Sequence, residues 1–224
     1  MECSTMESIK DKYNEIKRQI PDYVTIVAVT KQRTIEEIKE AFDAGVKIVG
    51  ENYIQEAMSK YSYMEGLQWH FIGHLQRNKV KDAIKMFDCI QSVDSVRLAI
   101  ELDKQCAKLS KVMPILIEIN IGGEESKYGV KPEEALEIIR QIAELPNVHI
   151  EGLMTMEPYF DDPEQARPYF RQMKRLFDEI KSQNIPNAEM KILSMGISNS
   201  YEIAIEEGSN MVRIGTKIFG PREY

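Results

Sequence analysis

Lys31 is the residue of this sequence best placed to do covalent chemistry. It follows the apolar run 24–29 almost directly, so its amine is expected at the top of an apolar wall, where loss of water lowers a lysine pKa. An uncharged amine is a nucleophile towards aldehydes. A plainer reading, a lysine that caps a strand end in solvent, is favoured by composition alone, because perturbed sites are a minority. Two later segments shift that balance. Ser194-Met195-Gly196-Ile197-Ser198-Asn199-Ser200 reads as a strand, a glycine turn and a helix N-terminus, and Arg213-Ile214-Gly215-Thr216 ends a strand with a Gly-Thr pair. Together they offer backbone N–H groups, hydroxyls and a helix dipole to an anion, which points to a phosphorylated ligand. Each loop alone is better read as an ordinary turn, with Ser198 as an N-cap; two such loops flanking the closing strands bring the phosphate reading level with the plain one.

Other polar residues take ordinary readings first. His70 lies within the run 68–72 and fits a hydrogen-bonded interior histidine, whereas His74 beside Gly73 is the better loop contact. Met154 and Met156 alternate along a strand and read as core or pocket lining. No histidine–carboxylate cluster has metal spacing, and Gly122-Gly123 lacks the G-x-G-x-x-G context of a dinucleotide site.

The elements that must position these residues alternate regularly. Apolar runs at 24–29, 48–50, 68–72, 89–92, 112–119, 149–155, 191–194 and 211–214 are separated by amphipathic stretches such as 34–44, 132–143 and 165–181. Their period of about 27 residues is that of one β/α unit. Eight such units predict an α/β fold in which a parallel sheet closes into a (β/α)8 TIM barrel; a doubly wound open sheet shares the alternation and is the second reading. In a barrel the working residues sit at the carboxyl ends of the strands, here Thr30-Lys31, Glu51-Asn52-Tyr53, His74, Ser92, Asp94, Asn120, Met154-Thr155, Ser194 and Arg213. Thr34 and Glu37 form a predicted capping box, Pro132 occupies a first-turn position, and Gly45 and Gly208 signal helix ends. The segment 4–20 spaces Met6, Ile9, Tyr13, Ile16 and Ile20 by threes and fours, which predicts an extra helix laid on the barrel. With no linker or repeat, residues 1–224 are expected to form one domain, with 1–20 as that packed helix.

Bulk properties exclude several classes. A net charge of -7 leaves no broad basic surface for nucleic acid. Cys3, Cys89 and Cys106 are too few and too irregular for a disulfide framework, which suits a reducing cytosol, and no apolar stretch suggests a signal core or a membrane span. The expectation is a cytoplasmic, soluble chain, a monomer by default.

The segments AVTK (28–31), GENYIQE (50–56), WHFIGHLQ (69–76), SKYG (126–129), GLMTM (152–156), SMG (194–196) and VRIGT (212–216) closely resemble the pyridoxal phosphate homeostasis protein family, also called YggS/PROSC-like proteins. The resemblance runs from about Val24 to Arg222. It implies a barrel like the alanine racemase N-terminal domain, of fold-type III, holding pyridoxal 5′-phosphate (PLP) as a Schiff base on Lys31. It further implies phosphate contacts from Ser198, Asn199, Gly215 and Thr216, a contact from Asn52, Arg213 facing the pyridine nitrogen, and Met154 and Ser194 at the same site. Lys127 matches the position implicated in cofactor hand-over, with PLP-dependent apo-enzymes as the recipients. Thr34 stands where the family commonly has proline, Ile197 replaces a methionine and Ser200 an aspartate; a serine is still expected to cap the helix.

A guanidinium beside the pyridine nitrogen opposes its protonation and makes the ring a poorer electron sink, so a PLP carrier without substantial amino-acid turnover is expected. The chain ends at Gly220-Pro221-Arg222-Glu223-Tyr224, where the fold-related racemases continue into a domain supplying a second acid–base group. A fold-type III racemase or decarboxylase is the alternative, and a Schiff-base aldolase or isomerase acting on a phosphosugar is a third class.

Overall fold

In a strand, successive side chains point to opposite faces, and the two faces of this sheet meet different surroundings. Ile26, Ala28, Trp69, Phe71, Ile90, Ile115, Ile117, Leu153, Leu193, Val212 and Ile214 join helix residues such as Ile38, Leu98 and Phe170 in one large core. Residues of the opposite parity, Cys89, Leu116 and Met154, form a small separate cluster, and His70, Gln91, Ser194 and Arg213 are linked by hydrogen bonds on that same inward side. The computed structural model describes residues 7–124 and 128–221.

The strands are β1 (Thr25–Val29), β2 (Ile48–Glu51), β3 (Gln68–Phe71), β4 (Cys89–Val93), β5 (Met113–Ile119), β6 (Val148–Thr155), β7 (Ala188–Ser194) and β8 (Met211–Ile214). Each pairs in parallel with the next, and β1 pairs with β8 from Thr25 opposite Met211 to Ala28 opposite Ile214, so the sheet closes and the open-sheet reading falls. The helices are α1 (Ile9–Gln19), α2 (Ile35–Asp43), α3 (Ile54–Tyr61), α4 (Val80–Met86), α5 (Val96–Ala107), α6 (Ala135–Ala143), α7 (Arg167–Ser182), α8 (Tyr201–Glu206) and α9 (Thr216–Phe219). β7 begins earlier than its apolar run, because Ala188, Glu189 and Met190 carry no β-branched signal and only Ala188 is registered there, opposite Ile150.

Local signals act as read. Thr34 and Glu37 cap α2 reciprocally, and Gly45 and Gly208, at φ +109° and +100°, follow the ends of α2 and α8. Pro132 opens a short 3-10 turn leading into α6. α1 starts from a capping box of Ser8 and Asp11, buries Tyr13 and Ile16, and packs on α2 and α9; residues 4–6 of the expected helix lie outside the described residues. Cys89 and Cys106 are buried free thiols, Cys3 is outside the described residues, and no described helix is long and apolar enough to cross a membrane.

Strand β6 shifts register at Gly152, whose missing side chain is required by a neighbour: a Cβ there would stand 1.8 Å from the Ile192 carbonyl oxygen. Gly152→Ala therefore forces β6 and β7 apart. The expected outcome is a loss of at least about 3 kcal/mol of stability, read by denaturant melts, against only about 1 kcal/mol for Gly123→Ala, whose Cβ would meet nothing within 4 Å and which bears only the strain of its φ of +64°.

Candidate functional site

At the carboxyl ends of the strands lies a cavity of about 430 Å³ lined by Val29, Lys31, Asn52, Ile72, Met156, Tyr159, Ile197, Ser198, Asn199, Arg213, Gly215 and Thr216. Lys31 is half-buried in the turn after β1, where Gln32 adopts φ +59°. A buried cluster beneath holds that turn. The Lys60 ammonium donates to the Thr30 carbonyl at 2.7 Å, to Glu51 at 2.9 Å and to Glu56 at 2.6 Å, while the Thr30 hydroxyl donates to Glu51 at 2.7 Å and the Gln32 N–H to Glu56. Burial pushes the Glu51 carboxyl up, and the Lys60 charge pulls it back. On the other side, Arg33 donates to the carbonyls of Phe219 (3.3 Å), Gly220 and Pro221 (3.4 Å), with its guanidinium 5.4 Å from the Phe219 ring. The loop carrying Lys31 is thus tied to the end of α9, whose first residues line the same cavity.

The opposite wall is rich in donors. Ser198 Oγ accepts from the N–H groups of Gly215 at 3.0 Å and Lys217 at 3.4 Å, crossing from the β7–α8 loop to the β8–α9 loop. Asn199 Nδ2 donates to the Phe160 carbonyl at 3.1 Å. Ser200 does not cap α8 through its side chain: its Oγ accepts from Ile197 N–H at 3.0 Å and donates to the buried Glu157. The Oγ already accepts from Ile197 N–H, on the loop side rather than the helix side, and the backbone of Ser200, at φ −126° and ψ −2°, lacks the extended geometry of a side-chain cap. Asn52 approaches the β3–α4 loop closely, which Gly73 permits, since a Cβ there would lie 2.2 Å from the Asn52 carbonyl oxygen.

The floor is Arg213, buried, with Nη1 donating to Ser194 Oγ at 2.6 Å and Nη2 to the Thr155 carbonyl at 2.7 Å and Met156 Sδ at 3.2 Å. Desolvation lowers its pKa, opposed by the charges of Glu157 and Glu118; a guanidinium keeps its proton regardless. Glu118, on the inward face of β5, is pushed up to about 7 by burial and the neighbouring Asp94 charge, with Arg213 opposing. Asp94 also faces His74 at 3.4 Å, and His74 stacks on Tyr128 with ring centroids 3.6 Å apart, beside a second cavity of about 460 Å³ that shares Asn52.

Of the residues singled out in the sequence, Lys31, Asn52, Ser198, Asn199, Arg213, Gly215 and Thr216 converge on one cavity. Ser194 lies behind Arg213, and Met154 packs against Cys89 and Leu116, so neither reaches the cavity wall. Lys127 lies outside the described residues. Met156, read with Met154 as core or pocket lining, lines the cavity, whereas sequence reading passed over Gln91 and Glu118, polar residues inside the apolar runs CIQSV and MPILIEI. Tyr159 falls in an irregular stretch with no period to mark it.

Residues 5–223 match the family described as the alanine racemase N-terminal domain. The pyridoxal phosphate homeostasis protein of Aquifex aeolicus is 45% identical over 201 residues, covering 89% of this chain and 87% of that protein. That of Pasteurella multocida is 42% identical over 205 residues, covering 90% and 88%. Among solved structures, PipY of Synechococcus elongatus with PLP bound is 31% identical and superposes with a TM-score of 0.87, covering 95% of this chain and all 100% of that one.

The raised Glu118 carboxyl has a signed consequence. A group whose folded value of about 7 exceeds the 4.5 of its ordinary state contributes stability that is complete below about pH 4.5 and lost as pH rises through 7. Glu118→Gln abolishes that dependence. Between pH 4.5 and 8 the variant is expected to gain on the order of 2 kcal/mol relative to wild type, measured by urea titrations at both ends; parallel curves would show that Glu118 titrates normally.

Proposed function

The chain belongs to the pyridoxal phosphate homeostasis proteins within the alanine racemase N-terminal-domain family, and on that premise we propose that it binds PLP as a Schiff base on Lys31 and serves in PLP homeostasis and cofactor supply. The observation that carries this reading is the convergence of a lysine amine, a buried guanidinium and a donor-rich pair of loops on one cavity of about 430 Å³. The residues present fit the cofactor. Asn52 Oδ1 is buried with no hydrogen-bond partner among the described residues, an acceptor suited to a ligand donor. The hydroxyls of Ser198 and Thr216 line the cavity, and a phosphate oxygen taking the place of Ser198 Oγ would accept from the N–H groups of Gly215 and Lys217.

When bound, PLP supplies an aldehyde carbon that a primary amine attacks and a ring that withdraws electrons from it. Lys31 presents that amine from a turn clamped by Lys60 below and Arg33 beside it, so its approach is pre-organised. Ser198, Asn199, Gly215 and Thr216 hold the anionic end. Arg213 sets a fixed positive charge against the cavity floor, with Ser194 orienting it from behind and Met154 packing the layer beneath. A permanent cation there disfavours a second positive charge on a ring nitrogen alongside, which weakens carbanion chemistry and favours a carrier over an amino-acid enzyme. We assign Lys127 to cofactor hand-over towards PLP-dependent apo-enzymes, on its place in the SKYG motif.

The test is the visible spectrum of the protein with PLP, followed by borohydride trapping and peptide mapping. Wild type is expected to show the band of a lysine-bound cofactor and to carry the label on Lys31, and Lys31→Ala to lose both; a label elsewhere overturns the assignment. Arg213→Ala is expected to displace the band and raise reactivity with amino acids. Substantial wild-type turnover across a panel of amino acids would instead support a racemase or decarboxylase.

A further inference from the structure

A chain of buried side chains runs through the barrel interior behind Arg213, one residue from each of four strands. Arg213 (β8) donates to Ser194 Oγ (β7) at 2.6 Å, Ser194 Oγ donates to Gln91 Oε1 (β4) at 2.7 Å, and Gln91 Nε2 lies 2.8 Å from His70 Nδ1 (β3). All four are buried.

The direction of every bond follows from one end. A guanidinium has donors only, so Ser194 Oγ accepts from Arg213 and has one proton left to give. That proton finds an acceptor only if the carbonyl oxygen of Gln91 faces it, which turns the Gln91 NH2 towards His70. The reversed amide is disfavoured twice. It would aim two donors at Ser194 Oγ, and it would set a carbonyl oxygen against Met211 Sδ, which lies 3.3 Å from the amide nitrogen and is itself an acceptor. Nδ1 of His70 then receives a donor and carries no proton of its own. Burial depresses His70 to about 4, against the weak opposite pull of Asp88, so above that pH the ring keeps one proton, on Nε2.

We infer that Gln91 is a positioning residue for Arg213, acting through Ser194, and that the same chain fixes the His70 tautomer with Nε2 protonated and Nδ1 bare. Arg213 needs this support because its other hand is occupied by Thr155 and Met156, so the guanidinium plane is set by strands on both sides of the cavity floor. Only a side chain with an acceptor at one end of a planar head and a donor at the other completes the chain at position 91. Glutamate keeps the shape but offers two acceptors, which forces His70 to donate from Nδ1; methionine keeps the volume and offers neither bond.

The tautomer and the guanidinium are read on the protein without added PLP, and the consequence for the proposed cofactor site separately. In nitrogen NMR of the histidine rings, tractable because the chain has 3 His and identifiable through His70→Asn, wild-type His70 is expected bare at Nδ1 across neutral pH. Gln91→Glu is expected to move the proton to Nδ1. The Arg213 Nη resonances are expected to be resolved in wild type and to coalesce in Gln91→Met, as rotation about its Cζ bonds is released. With PLP, which rests on the function proposed above, both variants should bind at least about fivefold more weakly, roughly 1 kcal/mol, with a displaced visible band. A protonated Nδ1 in wild type overturns the inference, as do unchanged Arg213 resonances in both variants. Failure of wild type to bind PLP would sink the function alone, leaving the NMR measurements to decide the chain.

Discussion

A positive charge that cannot be given up is buried at the inner end of β8, and much of the barrel interior is arranged around it. Taking the Arg213 guanidinium out of water is tolerable only where its N–H groups meet acceptors, and the groups that supply them come from β6 and β7. The demand then passes on, from Ser194 to Gln91 to His70, until it ends on a ring nitrogen that needs no further partner. An interior of branched aliphatic side chains would pack as well but could hold no charge beneath the cavity. The polarity of the barrel at this depth is therefore set by the requirement of a single cation, and two carboxyls bear on its charge, Glu157 and the Glu118 that burial pushes up to about 7.

Lys31 is positioned by a different device. Its turn follows a strand only five residues long, and Gln32 beside it adopts a left-handed conformation that a glutamine does not choose freely. The buried Lys60, bonded to Thr30, Glu51 and Glu56, holds that turn while balancing the charge of the surrounding carboxylates. Removing any one partner strands a charge in the interior, which penalises alternative paths of the loop.

Much of this was legible in the sequence, for identifiable reasons. Strands buried on both faces read as largely apolar runs, from TIVAV in β1 to MPILIEI in β5, so all eight stood out, and the Thr34–Glu37 box marked α2 because its chemistry is local. The rim residues Lys31, Asn52, Ser198 and Arg213 were found because barrel geometry dictates where strand ends face. What escaped is what closure creates. Gln91 and Ser194 are 103 residues apart and Arg33 and Gly220 are 187 apart, and no local pattern announces such partners. Met154 and Met156 look alike in the sequence and share the inward parity of β6; what separates them is depth, since β6 ends at Thr155 and only Met156 lies beyond it at the rim. Ser200 misled in the other direction, since a serine before a helix suggests a cap, yet its oxygen accepts from Ile197 in the preceding turn and its backbone is not extended.

The bridge from Arg33 to the end of α9 makes the site a ruler. The turn that carries the amine and the short helix whose first residues line the same cavity are fastened to each other by a guanidinium rather than by whatever lies between them. The span from one to the other is thus a property of the protein before any ligand arrives. Under the proposed function, molecules with a carbonyl and an anionic group are sorted by the number of atoms separating the two, and those that mismatch must strain themselves rather than stretch the frame.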